Sequence, residues 1–291
     1  MSSLPERVSI LGCGWVGHAL GRHLVDAGWA VRGSTTTPEK VDPLRRDGIE
    51  PFLLRLDPDV SGDDLDPFFD ADALVLNVPP PRGVDDRRAY HLRQIDAVRE
   101  RAAGRVPWIV FVSSTGVYPD VEREVAEADV PPGALDALGG DRRRATGDIL
   151  LEAEERLWVD DAVNVTIVRF GGLYGADRHP ARFLAGRTNV SRPHAPVNLI
   201  HQDDCTGLLH TVLDQTATGL VVNGVSNAHP TRQMLYTRAA KVQDLTPPTF
   251  DSSDTRGGKQ VSNRVACEDL GYTFQHPDPM ADLESTTSGE L

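Results

Sequence analysis

Gly12-Cys13-Gly14-Trp15-Val16-Gly17 has the types and spacing of a G-x-G-x-x-G loop. That chemistry is phosphate recognition. Gly12 permits a tight turn, Gly14 lets a pyrophosphate approach the backbone, and Gly17 lets a helix pack closely on a strand. A second reactive set lies a hundred residues on, in Ser113-Ser114-Thr115-Gly116-Val117-Tyr118. Hydroxyls gathered there suit hydrogen bonding to a substrate alcohol or carbonyl. Between the two sets stand Arg32, Ser34, Thr35, Asp57, Asn77 and Pro79, each at the end of an apolar run.

Those runs are the elements that must position the chemistry. Residues 8–11 read as a strand. A helical pattern follows, with Val16, Leu20, Leu24 and Val25 on one face, and residues 29–31 read as a second strand. A glycine motif between strand and helix, in a unit of about 30 residues, is the dinucleotide-binding context. The helix N-terminus adds amide donors and a partial positive charge. A plain strand–turn–helix is the alternative.

The loop after the second strand bears on cofactor choice. A carboxylate there would serve a ribose 2′-hydroxyl. No acid appears until Glu39, whereas Arg32, Ser34, Thr35 and Thr36 offer a cation and hydroxyls. Donors and positive charge suit a 2′-phosphate, so NADP is expected over NAD; an ordinary polar turn is the alternative. Pro38 to Asp47 reads as a helix with Thr37 as its cap. Residues 52–56 form a third strand, with Asp57 placed near an adenine. Residues 73–78 form a fourth, running into Pro79-Pro80-Pro81, and residues 85–101 form a polar helix. The apolar run 108–112 suits a strand buried on both faces. Its end, Ser113 and Ser114, would lie over a nicotinamide.

Composition sets limits. A net charge of −13 with pI near 5.1 opposes binding to nucleic acid. The first residues lack a secretory pattern, and no apolar run reaches the roughly 18 residues of a membrane helix. A cytoplasmic protein without membrane association is expected. The three cysteines, Cys13, Cys205 and Cys267, are far apart and suit neither a disulfide framework nor a zinc site. No metal is expected. Cys13 reads as a small apolar filler. Acid abundance beside only three lysines fits a high-salt cytoplasm, or equally a GC-rich genome.

Four stretches in fixed order carry a resemblance: the glycine loop, SSTGVY at 113–118, VRFGGLYG at 168–175 and NLIHQDD at 198–204. Together they resemble the extended and atypical short-chain dehydrogenase/reductases, in the NAD-dependent epimerase/dehydratase-like group. The resemblance covers residues 8 to about 272. It implies a Rossmann-type parallel sheet with helices on both faces, a nicotinamide cofactor and a smaller C-terminal substrate region. It implies that Ser114 binds the substrate oxygen. It also implies that 168–175 passes near the nicotinamide, and that Asp204, near a helix start, helps close the substrate side. The expected division is 1–175 for the dinucleotide and 176–291 for the substrate, partly interleaved.

The chain departs from that family at the catalytic Tyr-x-x-x-Lys pair. Aligned on Gly147 and Glu154, the tyrosine position holds Thr146 and the lysine position Leu150. A threonine hydroxyl is a far weaker acid than a tyrosine of pKa about 10, and Leu150 carries no charge. Tyr118 is the nearest surrogate acid by motif. Two functions follow. One is an NADP-dependent oxidoreductase or epimerase-like enzyme acting on a carbonyl or hydroxyl, with sugar nucleotides among the candidate substrates. The other is a non-catalytic NADP-binding sensor or regulator. Residues 131–144 read as a mobile loop over the cleft, whose Arg142, Arg143 and Arg144 face either an anionic substrate or solvent. Residues 177–196 form a basic island with His179, Arg182, Arg187, Arg192 and His194. It suits a phosphorylated substrate or is scattered surface charge. Residues 271–274 read as a terminal strand and the tail from Pro277 as disordered. A homodimer is one open state.

Overall fold

The structure, a computed structural model, describes residues 6–62, 64–134, 146–159, 163–175 and 177–285. In chain order the elements are β1 (Arg7–Leu11), α1 (Trp15–Asp26), β2 (Ala30–Thr35), α2 (Val41–Arg46), β3 (Glu50–Leu56), β4 (Val60–Gly62) and α3 (Leu65–Phe69). Next come β5 (Ala73–Leu76), α4 (Arg87–Ala102), β6 (Trp108–Ser114), β7 (Glu124–Val125), α5 (Thr146–Trp158), β8 (Asn164–Phe170), β9 (Gly172–Tyr174) and α6 (Ala181–Leu184). The chain ends with β10 (Leu199–His201), α7 (Gln202–Asp214), β11 (Val221–Gly224), α8 (Arg232–Val242), β12 (Gln260–Val261) and α9 (Pro279–Ser285).

Two compact units share this chain. The first comprises residues 1–117, 130–169 and 206–222; the second comprises 118–129, 170–205 and 223–291. The first is built on an eight-stranded sheet in the order β11-β8-β6-β5-β1-β2-β3-β4. β1 pairs in parallel with β2 and β5, as do β2 with β3 and β5 with β6; β3 and β4 are antiparallel. This is the mixed α/β, Rossmann-type architecture expected from the sequence. Strand order reverses beside β1, which opens a crevice beyond the carboxyl ends of β1 and β5. The four residues of β5 are wholly buried, as a parallel strand covered on both faces must be. Among the described residues no helix is long and apolar enough to cross a membrane.

In the second unit β9 pairs in parallel with β10, and β7 with β12. Tyr174, Ala181, Val197, Leu199, Leu235, Ala239 and Leu283 form its core.

Three local expectations change. β2 extends to Thr35, because it pairs with β1 through Gly33 and with β3 through Thr35. Arg32, Ser34 and Thr35 are therefore strand residues. Residues 271–274 form no strand, because the adjoining backbone is capped by a side chain. The amides of Gln275 and His276 donate to the Asp204 carboxylate at 2.7 and 2.9 Å. The tail from Pro277 carries α9, which buries Leu283 to 1% exposure. The arginines 142–144 lie outside the described residues.

Candidate functional site

β1 ends at Leu11, and Gly12 turns the chain with φ of +104°, a conformation that favours glycine. Space also excludes a side chain there: a Cβ on Gly12 would stand 2.5 Å from the Asn77 carbonyl oxygen. The turn is held by the Gly12 amide donating to Ser34 Oγ at 2.9 Å and the Cys13 amide to the Ser34 carbonyl at 2.9 Å. The Asn77 side-chain amide donates to the Gly12 carbonyl at 3.2 Å. Gly17 carries the close helix approach, since a Cβ there would lie 2.3 Å from the Gly12 oxygen. Gly14, the N-cap of α1, differs from both. A Cβ there meets nothing within 4 Å, and no acid occupies the helix's first turn. Helix geometry leaves the first-turn amides without intrahelical acceptors, and the turn itself carries no carboxylate.

A cleft of about 280 Å³ lies against this loop, lined by Leu11, Gly12, Cys13, Gly14, Ser34, Thr35, Thr36, Thr37, Lys40, Leu54, Leu56, Asn77, Val78 and Pro79. The structure thus gathers Gly12, Cys13, Gly14, Ser34, Thr35, Asn77 and Pro79, seven of the residues expected to hold a cofactor. Trp15 and Val16 begin α1 and are absent from the cleft lining, and the Val16 side chain is buried. Burial pushes the Cys13 thiol up to about 12, so it stands here as a neutral filler.

Four expected site residues face elsewhere. Arg32 lies deep in β2, in register with Ser9 and Glu50. Its guanidinium bonds the Glu50 carboxylate at 3.0 Å and the carbonyls of Pro67 and Asp70. The cation on the cleft wall is Lys40 instead. Its rarity in an arginine-rich chain was the one sequence signal for it. Asp57 accepts a hydrogen bond from the Tyr90 hydroxyl and is absent from the cleft lining. Ser113 turns inward and donates to the buried Glu154 carboxylate at 2.5 Å. Tyr118 is 3% exposed, with its hydroxyl on Asn223 Oδ1 at 2.8 Å. An acid must reach its substrate, so burial removes Tyr118 from that role.

Ser114 is half-buried at the end of β6, and its Oγ accepts the Gly116 amide at 3.1 Å. α5 begins against this turn: a Cβ on Gly147 would lie 2.0 Å from the Gly116 carbonyl oxygen. That contact holds Thr146 beside the Ser114 loop. Leu150, one turn on, is 5% exposed. No acid of ordinary strength stands at either position. Thr146 Oγ1 instead accepts a hydrogen bond from Arg87 at 3.3 Å, a neighbour no motif announced.

In the second unit Asp204 is wholly buried and gathers the Tyr272 hydroxyl at 2.9 Å with the backbone amides of Gln275 and His276. Burial first, then the Asp204 charge, pushes the Tyr272 phenol above its ordinary range. In the basic island, Arg192 grips Asp120 through both terminal nitrogens at 2.6 Å. His201, Asp203 and His276 cluster at metal-ligand spacing. The two imidazoles, however, stack with centroids 3.6 Å apart, so their in-plane lone pairs do not converge on one ion.

No family model matches the chain. Protein YeeZ of Escherichia coli K12 is 36% identical over 278 residues, covering 94% of this chain and 98% of that protein. A short-chain dehydrogenase/reductase superfamily protein from Agrobacterium tumefaciens, solved with bound NAD, has a similar fold. Its TM-score is 0.74 at 18% identity, covering 97% of each chain. The human epimerase family protein SDR39U1, solved with NADPH, gives a TM-score of 0.67 at 20% identity, covering 98% of this chain and 100% of that one. The chain belongs to the same family as Protein YeeZ, and its fold is similar to that of the short-chain dehydrogenase/reductase and epimerase-family proteins above.

Proposed function

We propose that this chain binds NADP(H) in the cleft beyond β1 and β5 and acts as an oxidoreductase or epimerase-like enzyme on a carbonyl or hydroxyl, with sugar nucleotides among the candidate substrates. The observation that carries the reading is the glycine loop. Gly12 and Gly17 are required by close packing, whereas Gly14 alone has open space beside it. Open space beside a glycine at a helix start is what an approaching pyrophosphate needs. The lining of the cleft supports the rest of the reading. Ser34, Thr35, Thr36 and Lys40 suit a 2′-phosphate, and Asn77 and Pro79 form the wall toward the reacting end. Residues 1–175 are taken as the dinucleotide-binding domain and 176–291 as the substrate region, partly interleaved.

When bound, the nicotinamide supplies a hydride acceptor or donor. The chain's part is to orient the substrate oxygen. Ser114 Oγ accepts from Gly116, which leaves its proton for a substrate oxygen. Thr146 Oγ accepts from Arg87 and likewise keeps its proton for donation. Neither hydroxyl is an acid at neutral pH, so these groups polarise rather than protonate. That same feature favours a second reading, in which the chain binds NADP(H) as a sensor or regulator without turnover. One series separates them. NADPH binding is measured by calorimetry, then NADPH oxidation is screened over carbonyl and sugar-nucleotide panels with Ser114→Ala beside the parent. Activity abolished by Ser114→Ala supports the enzyme. Activity arising only after Thr146→Tyr with Leu150→Lys supports the sensor. A parent that does not bind NADPH overturns both.

A further inference from the structure

Arg87 opens α4, and among the described residues its guanidinium is held by neutral acceptors. Nε donates to the Pro81 carbonyl at 2.7 Å and Nη2 to Thr146 Oγ1 at 3.3 Å. Among the described residues no carboxylate forms an ion pair with it. The adjacent Arg88 is engaged differently, forking onto the Glu152 carboxylate at 2.7 and 2.5 Å. In a chain of net charge −13, a half-buried guanidinium with no acid partner among the described residues is unusual.

Its position joins two parts of the site. Pro81 lies two residues beyond Pro79, which walls the cleft. Thr146 precedes Gly147, which packs on Gly116, and Gly116 holds the Ser114 hydroxyl. Arg87 therefore ties the cleft rim to the loop that carries Ser114. A guanidinium has five N–H donors in a fixed plane. The Pro81 and Thr146 bonds engage two of its nitrogens and fix that plane. The remaining donors suit a carboxylate or phosphate, which guanidinium recognises as a planar fork.

We infer that Arg87 is a specificity-determining residue that receives a carboxylate or phosphate group of the substrate, beside the hydroxyls of Thr146 and Ser114. The substrate is thereby an anionic carbonyl or hydroxy compound. This rests on the function proposed for the site, and the test separates the two. Uniformly ¹⁵N-labelled protein is titrated with malonate and, separately, with inorganic phosphate, with and without NADPH. The readout is the shift of the Gly116 and Gly147 amide signals. In the parent the shifts saturate, and the anion giving the tighter curve names the group. Arg87→Gln weakens that affinity roughly tenfold or more, because a charge-assisted fork is lost. Arg87→Lys retains part of it, and Arg82→Gln leaves it intact. Equal affinity in the parent and Arg87→Gln would overturn the inference. The comparison is internal to the anion titration, so failure of NADPH to bind would overturn the proposed function while leaving the Arg87 result readable.

Discussion

The Glu154 carboxylate and the Arg169 guanidinium meet with both side chains at 0% exposure. Arg169 Nε bonds Oε1 and Oε2 at 3.0 and 3.2 Å, Nη2 bonds Oε2 at 2.5 Å, and Nη2 also reaches the Val130 carbonyl at 2.8 Å. Ser113 completes the set on Oε1. The pair pins α5, and with it Thr146, to β6 and β8. Removing one partner strands a buried charge, which costs about 3–5 kcal/mol. Arg169→Met is expected to lose stability on that scale by urea denaturation. Arg169→Met with Glu154→Leu should recover much of it. A double variant no more stable than the single one would show that the charges are not the cause.

Glycine substitutions should separate folding from binding. Gly17→Ala sets a Cβ 2.3 Å from the Gly12 oxygen, so it is expected to lower the melting temperature. A Cβ on Gly14 meets nothing within 4 Å, so Gly14→Val brings no Cβ clash. It should melt close to the parent yet lose NADPH binding in calorimetry. Unchanged NADPH affinity in Gly14→Val would remove the glycine loop from the cofactor site.

Cofactor choice should follow Lys40 and not Arg32. Lys40→Ala is expected to weaken NADPH binding roughly tenfold, the value of about 1.4 kcal/mol, with NADH affinity unchanged. Arg32→Ala should leave the NADPH-to-NADH ratio as it is, because its guanidinium is spent on Glu50 and two carbonyls. A ratio that collapses in Arg32→Ala would reverse the assignment.

His276 and His201 should titrate apart. Burial lowers the His276 pKa, but Asp282 on Nδ1 at 3.0 Å, with Asp204 and Asp203, outweighs it and holds the value above 6.5. Burial first, then the neighbouring His276, lowers His201 below 6.5. A raised histidine adds stability that is full below the unfolded pKa and lost as pH rises through the folded one. Docking of the His276 segment should therefore loosen as pH rises through the raised His276 midpoint. His201 acts oppositely and destabilises the fold as pH falls below 6.5. The imidazole Cε1 proton signals report both midpoints, and Asp282→Asn should move that of His276 downward. A His276 midpoint below that of His201 would refute the account.

The sequence by itself determined the dinucleotide-type core, because its signals are local. A strand, three spaced glycines and an amphipathic helix lie within 8–33, and the apolar runs of β5 and β6 read as buried parallel strands from their own composition. Ser34, Thr35, Asn77 and Pro79 were legible for the same reason: each closes a strand whose end faces the crevice. What the tertiary structure decided is which side chains remain available. Ser113 is taken by Glu154, 41 residues away, and Tyr118 by Asn223, 105 residues away. Arg32 is withdrawn because β2 runs on to Thr35 between two parallel neighbours, a length set by pairing and not by its own residues. Residues 271–274 show alternation but no strand, because Asp204, distant in sequence, satisfies the amides that follow them. A hydroxyl or a guanidinium has one chemistry in the sequence; the partner that leaves it free or engages it comes from elsewhere in the fold.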